Sequence, residues 1–366
     1  MEKYYFLGLE DYQQFLQKVL RKAGVAPEDA KALFDNTYWN DMVGRYNHGI
    51  WRIRTYLKRF KMGLIKSPSH FQIVKQNAST VLMDGNNGFG QALGTYAMQK
   101  AVQMAKETGL AAVGVKNSNH FGTCAYFNEL AAREGMISIV TSNSISKVAP
   151  FGGKTRIFGT NPLGFGVPKP NGSILIDFAS SATAGSTIIK ARKLGTPIPE
   201  GILIDTEGNP VTDPNRLPQS VMLTFEGHKG YCIALMVEIL SGVLTGAGMT
   251  TQTHSMFNDF DHPGNLGQFY LALDISKFIH LPDFYERIQI LVNQIKQADP
   301  LDPQKPVKIP GEGRWRAWRR HLENGFRFDE DIKTELELLS EEYGVELPKF
   351  KPADESPPND RGGPNG

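Results

Sequence analysis

The middle of this 366-residue chain alternates between short β-rich runs and longer helical segments, and this alternation limits the possible folds more than any other feature. The β-rich runs are Thr80–Asp84, Ala111–Lys116, Ile137–Thr141 and Ser173–Asp177. The helix candidates between them are Gln91–Lys106 and Phe127–Arg133. Because strands that alternate with helices form a sheet covered by helices, the sequence predicts an α/β core.

Helical patterns predominate at both ends of the chain. One apolar face, with the 3.6-residue period of a helix, is made by Tyr12, Phe15, Leu16, Val19 and Leu20. Ala23-Gly24 ends that helix, and Pro27 suits the first turn of the next one. Further helices are predicted at Phe284–Gln297 and Asp331–Tyr343.

These patterns suggest three parts. A helical N-terminal part, residues 1–75, is expected to pack with residues 285–350, and residues 76–284 are expected to form the α/β core. Residues 351–366 are rich in Pro, Gly, Asp and Asn and are expected to be a disordered tail.

Composition argues against several classes of protein. The 40 basic and 38 acidic residues nearly cancel, which disfavours nucleic-acid or membrane binding. Only two cysteines occur, Cys124 and Cys232, so a disulfide framework is not expected and a reducing cytoplasm is. The N-terminus shows no signal-peptide pattern. The apolar segment Tyr231–Leu244 is too short to cross a membrane and is interpreted as a buried core helix.

Two histidines occur in similar surroundings, Asn47-His48-Gly49 and Asn119-His120-Phe121-Gly122. A neighbouring glycine lets a ligand approach the backbone, and an unperturbed imidazole titrates near neutral pH. The pair therefore suggests proton transfer. Arg52 lies one helical turn after His48, where it could bind a substrate carboxylate or form a surface salt bridge.

Three glycine-rich motifs have both a functional and a structural interpretation. Gly88–Gly94 follows a strand and opens a helix, but its spacing is not that of a dinucleotide fingerprint, which favours helix–sheet packing. Gly159-Thr160-Asn161-Pro162 is either a simple tight turn or a holder of a small polar ligand. In Gly227-His228-Lys229-Gly230, Lys229 either meets a phosphate or is simply solvated.

Two further clusters are given ordinary interpretations. Trp315 with Arg314, Arg316, Arg319 and Arg320 is interpreted as a solvated helix face rather than a nucleic-acid surface. The spacing of His254, Asp259, Asp261 and His262 matches no standard metal site, so no metal is predicted.

From about Leu9 to Glu323, the chain resembles the type-2 malate/L-lactate dehydrogenase family, which includes sulfolactate and ureidoglycolate dehydrogenases, diketogulonate reductase and piperideine-2-carboxylate reductase. The motifs that carry the resemblance are Asn47-His48-Gly49 with Arg52, Asn117–Gly122, Thr141–Ser144, Gly159–Pro162, Asp177–Ser181, Pro199-Glu200-Gly201 and Gly227–Gly230.

The resemblance implies a mixed-sheet, sulfolactate/malate dehydrogenase-like α/β fold that binds NAD or NADP without being Rossmann, usually as a homodimer. It implies hydride transfer between a small 2-oxo acid, or a cyclic imino acid, and its 2-hydroxy or amino acid. His48 would be the proton donor. Some members are described with the second histidine, here His120, as the proton acceptor, so both assignments stay open. Arg52 and Thr160 would hold the substrate. The cofactor would be surrounded by His120, Phe121, Gly122, Thr123, Cys124, Ser144, Phe178, Ala179, Ser180, His228, Lys229, Gly311, Glu312 and Gly313.

The chain departs from the family pattern at two positions. Asn47 stands where serine is common, and Thr187 stands where piperideine-2-carboxylate-type members carry an aspartate. Without that carboxylate a protonated His48 is less stabilised, which lowers its expected pKa. The alternative hypothesis is therefore a family member that binds a dinucleotide or metabolite as a sensor or scaffold. A metal-dependent hydrolase is a third possibility.

Overall fold

The structure, a computed structural model, describes residues 3–352. The strands are β1 Tyr4–Leu7, β2 Gln72–Gln76, β3 Thr80–Asp84, β4 Leu110–Ser118, β5 Met136–Ser142, β6 Pro162–Lys169, β7 Gly172–Ala179, β8 Leu203–Ile204, β9 Pro210–Val211, β10 Val221–Met222, β11 Leu266–Asp274, β12 Phe326–Asp329 and β13 Phe350–Pro352. The helices are α1 Leu9–Lys22, α2 Pro27–Met42, α3 Ile53–Lys61, α4 Gly90–Thr108, α5 Cys124–Arg133, α6 Gly185–Leu194, α7 His228–Glu238, α8 Leu281–Gln297, α9 Glu312–Asn324 and α10 Glu330–Tyr343.

The α/β core predicted from the alternating pattern is confirmed as one mixed sheet. Its seven strands follow the order β2-β3-β4-β11-β5-β6-β7. Only β3 and β4 run parallel within this sheet, and α4 connects them. Along β4, Ala111, Val113 and Val115 alternate into the core, as the two-residue period of a strand requires.

The glycines of the Gly88–Gly94 motif serve helix–sheet packing. A Cβ atom added to Gly90 would lie 2.3 Å from the carbonyl oxygen of Asn119, and one added to Gly94 would lie 2.4 Å from the Tyr270 hydroxyl. Helix α4 can approach the sheet only because these side chains are absent. The packing interpretation is confirmed.

A second core joins the two ends of the chain. Its buried residues come from segments 7–65 and 326–345, together with Phe89. All five apolar residues predicted on one face of α1 are buried there, and Pro27 occupies the first turn of α2. Strand β1 pairs with both β12 and β13. Helix α8 instead lies against β6 of the central sheet. The exact three-part division stays a prediction.

Two expectations need correction. Lys351 and Pro352, assigned to the tail, belong to β13, while the rest of the predicted tail, 353–366, lies outside the described residues. The segment Tyr231–Leu244 is not a fully buried core helix, because α7 and the π-helical turn Ile239–Val243 expose a row of apolar side chains. Among residues 3–352, no helix combines the length and the apolar character needed to cross a membrane.

Candidate active site

His48 lies in a tight double turn between α2 and α3. One 3₁₀ turn, Tyr46–His48, is followed by a second, Ile50–Arg52, with Gly49 between them. Buried Asp41 holds this turn, since its carboxylate accepts the N–H of Ile50 at 2.9 Å. A Cβ atom on Gly49 would lie 1.9 Å from the same carboxylate. Glycine is therefore required for the approach of Asp41, and this packing reason replaces the ligand-access argument made from sequence.

The structure brings His48 and His120 together, although they are far apart in the chain. Their rings stack with centroids 5.5 Å apart and planes 9° apart. The Nδ1 atom of His48 is buried and has no hydrogen-bond partner among residues 3–352. A buried polar atom of this kind is costly unless a ligand satisfies it.

His120 is held in place by its neighbours. Its Nδ1 lies 2.5 Å from the hydroxyl of Tyr56 and accepts the N–H of Gly122 at 3.4 Å. Because this backbone N–H can only donate, the neutral ring carries its proton on Nε2 and Tyr56 donates to Nδ1. His120 is therefore fixed, whereas His48 has a free ring nitrogen.

Both imidazoles are neutral near pH 7. Burial, followed by the charges of His120 and Arg52, lowers the pKa of His48 well below its usual value. Burial and the nearby charge of Arg52 lower the pKa of His120 to about 3. These causes are burial and neighbouring cations, so the expected effect of the missing carboxylate relative to other family members stays a prediction.

This depression predicts acid sensitivity. A histidine in the unfolded chain has a pKa of about 6.5, whereas His120 in the folded chain has a pKa of about 3. Between these two pH values the unfolded chain therefore binds one more proton than the folded chain does. The free energy of unfolding should therefore fall as pH drops from ~6.5. In His120→Gln the slope should be shallower by up to about 1.4 kcal/mol per pH unit.

Urea unfolding at several pH values between 4.5 and 7 measures this slope, with the exposed His280→Gln as matched control. The prediction is wrong if the slope of the His120→Gln variant equals that of the wild type.

Arg52 lies between two aromatic rings. Its guanidinium carbon is 5.0 Å from the ring centre of Trp51 and 4.8 Å from that of Phe257. Its Nε atom is buried and has no hydrogen-bond partner in the described part of the chain, and burial lowers the pKa of this residue. The surface salt bridge considered from sequence is not supported, and the side chain is available for a planar anion.

Further cations surround His48 that sequence reasoning did not select. Besides Arg52, the charges of Arg45 and Arg314 act on its pKa, and Lys147 lies within electrostatic range of Arg52. Arg314 is buried and pairs with Asp177 at 3.3 Å, so its assignment to a solvated helix face is wrong. Cations gathered around a partly desolvated site favour anionic ligands.

Several predicted binding segments are neighbours in space and together form one surface, which we call the cofactor wall. They contain Ser144, Thr160, Ser180 and the pair His228 and Lys229. The carbonyl of Thr160 accepts the N–H of Ser180 at 2.9 Å, and the carbonyl of Ser180 accepts the N–H of Phe225 at 3.2 Å, next to the turn that carries His228 and Lys229. A Cβ atom on Gly159 would lie 2.4 Å from the carbonyl oxygen of Ser144. The sequence motifs therefore predicted segments that are neighbours in space.

Other predicted cofactor residues are placed differently. Phe121 and Cys124 are buried in the core, so they could meet a cofactor only through their backbone. Phe178, His228 and Lys229 are exposed, and Ala179 ends β7. The loop Gly122-Thr123 is held by α2, where Asn40 accepts the Thr123 hydroxyl at 2.7 Å.

The turn Gly311-Glu312-Gly313 opens α9 beside β7. A Cβ atom on Gly311 would lie 3.0 Å from the backbone nitrogen of Leu175, and Glu312 pairs with Lys296 at 2.9 Å. This turn therefore serves helix–sheet packing, whatever it contributes to ligand binding.

The two departures from the family pattern lie close together. The Asn47 amide donates to the hydroxyl of Ser186 at 3.3 Å, one residue before Thr187. Next to His48, this chain therefore has a hydrogen bond between two uncharged side chains. Relatives of the piperideine-2-carboxylate type are expected to have a carboxylate in this region.

Comparison with known proteins gives a consistent result. The family model for malate/L-lactate dehydrogenase matches residues 7–337. Malate/(S)-sulfolactate dehydrogenase of Methanothermus fervidus is 33% identical over 338 residues, 92% of this chain and 98% of the relative. The solved sulfolactate dehydrogenase of Methanocaldococcus jannaschii has a TM-score of 0.86 at 32% identity, covering 93% and 98% of the two chains. The delta1-piperideine-2-carboxylate reductase of Pseudomonas syringae has a TM-score of 0.82 at 27% identity, covering 92% and 99%.

Proposed function

The chain belongs to the malate/L-lactate dehydrogenase family, and on that basis we propose that it interconverts a small 2-oxo acid and its 2-hydroxy acid with NAD or NADP, with His48 as proton donor. The family, the enzyme class and the fold inferred from the sequence motifs are confirmed by the comparisons. The observation that carries the proposal for the site is the pair of unsatisfied buried nitrogens, His48 Nδ1 and Arg52 Nε, on consecutive turns.

The substrate carboxylate is proposed to bind Arg52. Because the guanidinium presents a planar donor fork between two aromatic rings, it can hold a carboxylate in one orientation. The negative charge of that carboxylate would offset the charge of Arg52, which is one cause of the low pKa of His48. Substrate binding would therefore favour the protonated form of His48 at the moment when a proton is needed.

The residues of the wall fit a dinucleotide. Ser144 and Thr160 are partly exposed and can offer hydroxyl groups, whereas the buried Ser180 hydroxyl donates to the Thr160 carbonyl. The cations near His48 suit a diphosphate. The bound nicotinamide would supply or accept the hydride. The protein's part is then to orient the carboxylate at Arg52 and to transfer a proton through the His48 imidazole to the reacting oxygen.

A screen of 2-oxo acids and cyclic imines with NADH and NADPH tests this function through loss of the reduced-nicotinamide absorbance. The alternative, a dinucleotide- or metabolite-binding sensor or scaffold, is motivated by Asn47 and Thr187. Tight binding of the dinucleotide without turnover over the whole panel would favour that alternative. A cyclic imine as the preferred substrate would show that the Asn47–Ser186 contact suffices where relatives are expected to use a carboxylate.

A homodimer is proposed as the working state, in the cytoplasm, where the free thiols of Cys124 and Cys232 would stay reduced. Exposed apolar side chains of α7 and the following turn form one stripe, namely Leu235, Met236, Ile239, Val243 and Leu244. Exposed apolar stripes of this kind usually mark an interface. Because the stripe carries no charge, it can face a second copy of itself across a two-fold axis without repulsion.

We expect Ile239→Glu to convert a dimer to a monomer, since it would place two carboxylates in one apolar interface. Light scattering coupled to size-exclusion chromatography measures the mass. Phe278→Glu is the matched control, because Phe278 is exposed and lies outside the stripe. A wild-type chain that is monomeric at high concentration would contradict the proposal.

A further inference from the structure

One loop, between the 3₁₀ turn Thr250–Gln252 and β11, gathers three side chains that bind metals in other proteins. The ligand atoms of His254, Asp259 and His262 all lie within 4.8 Å of one another. Nδ1 of His254 is 2.9 Å from Oδ2 of Asp259, and Nδ1 of His262 is 3.1 Å from Oδ1. The two imidazole rings are stacked, with centroids 4.6 Å apart. Spacing along the sequence had given no reason to expect this cluster.

A buried arginine holds the backbone of this loop in place through hydrogen bonds. The Arg59 guanidinium on α3 donates to the backbone carbonyls of Asp259 at 2.5 Å and His262 at 2.7 Å. Arg59 is only 1% exposed, so this connection is shielded from water. Two of the three residues are therefore positioned by a fixed element and not by the loop alone.

The carboxylate of Asp259 is oriented as well. Its Oδ1 accepts the backbone N–H groups of Asp261 at 3.1 Å and His262 at 3.0 Å. These bonds fix the carboxylate between the two imidazoles. The side chain of His262 is 58% exposed, which leaves the cluster open to ions and water from solvent.

We propose that His254, Asp259 and His262 form a binding site for one divalent transition-metal ion such as Zn²⁺ or Co²⁺. Two ligand atoms that share a tetrahedral ion at ~2.0–2.1 Å lie roughly 3.3 Å apart, close to the nitrogen–oxygen distances in this cluster. Two imidazoles and one carboxylate suit zinc and its neighbours, whereas Mg²⁺ and Ca²⁺ prefer oxygen ligands.

Binding requires no oxidant and no net loss of protons. In a neutral imidazole the proton moves from Nδ1 to Nε2, and Nδ1 then donates its electron pair to the ion. Water from solvent completes the coordination. The site is separate from the proposed reaction, because neither histidine contacts His48 or His120 by any bond of the described residues.

The ion would have a structural role. The same loop carries Phe257, whose ring covers Arg52, so an ion that joins His254 to His262 would hold both ends of the segment that positions Phe257. A bound ion at free concentration c stabilises the folded chain by RT ln(1 + c/Kd), so the gain grows with the logarithm of the ion concentration once this exceeds Kd.

The test is calorimetric titration of untagged, chelator-treated protein with ZnCl₂, together with the visible absorption of CoCl₂ added to the same protein. We expect one ion per chain and cobalt bands of a nitrogen- and oxygen-ligated ion. His254→Ala and His262→Ala should each weaken binding at least about tenfold. His280→Ala, an exposed histidine outside the cluster, should leave binding unchanged.

His262→Ala removes a mostly exposed ring and so keeps the test valid if His254→Ala fails to fold, which circular dichroism would reveal. No metal binding by the folded wild type would overturn the proposal, as would binding of equal strength in the His262→Ala variant. Neither result depends on the proposed dehydrogenase activity, because no substrate is used.

Discussion

Replacing His48 by alanine is expected to lower kcat for 2-oxo acid reduction by about 10²–10⁴-fold, which is the usual contribution of a positioned general acid. The half-buried ring stacks on His120, and its buried Nδ1 has no hydrogen-bond partner among residues 3–352, so it is free to exchange a proton with a substrate. Binding of the dinucleotide should change little, because the predicted cofactor wall lies on other segments. Steady-state kinetics and a fluorescence titration of the reduced cofactor measure the two effects.

His280→Ala is the matched control, since that histidine is exposed and lies outside the site. If kcat of the His48→Ala variant equals that of the wild type, the donor role belongs elsewhere. His120→Gln distinguishes the two histidines. A larger loss of kcat in the His120→Gln variant than in the His48→Ala variant would assign the proton to His120, and Tyr56 would then be its positioning residue.

The second large effect is expected at Arg52. Removing one partner of a buried, hydrogen-bonded charge pair costs about 2–5 kcal/mol. In Arg52→Leu, kcat/KM for a 2-oxo acid should therefore fall by about 30- to 5,000-fold. Arg52→Lys should recover only part of this loss, because an ammonium group keeps the charge but lacks the planar fork.

A substrate analogue identifies the partner of Arg52. If the arginine binds the carboxylate, the corresponding 2-oxo amide should be affected much less by Arg52→Leu than the 2-oxo acid is. Equal losses for acid and amide would show that Arg52 supports the site by packing between Trp51 and Phe257. Kinetics with both compounds in both proteins give the interaction energy as a double-mutant cycle.

Local patterns explain why the elements could be predicted. The buried residues of α1 recur with the 3.6-residue period of a helix, and those of β4 recur with the two-residue period of a strand. Both periods can be recognised from residues that are close together in the sequence. Gly24 and Pro27 mark the ends of helices for equally local reasons. His48 and Arg52 are only four positions apart, although the structure places them in two 3₁₀ turns separated by Gly49 and not in one helical turn.

Long-range contacts explain what could not be predicted. Arg314 looked like one of several surface arginines, and only the ion pair with Asp177 of β7 shows that it is buried near the site. The apolar residues of α7 looked like core because hydrophobicity along the chain does not tell whether another element covers them. The spacing of His254 and His262 along the chain matches no standard metal site, and only the structure shows that Arg59 of a distant helix holds the loop that brings them together.

The sequence by itself therefore determined the α/β class, most helix positions, four of the seven strands of the central sheet, the family, and the short motifs around His48 and His120. Each of these depends on residues within a few positions of one another or on a resemblance of motifs. Only the tertiary structure decided that the two histidines stack, that the charges of Arg45, Arg52 and Arg314 act on His48, and that the pKa values of both histidines are lowered. Those properties arise from burial and from charges on separate elements, which become neighbours only when the chain folds.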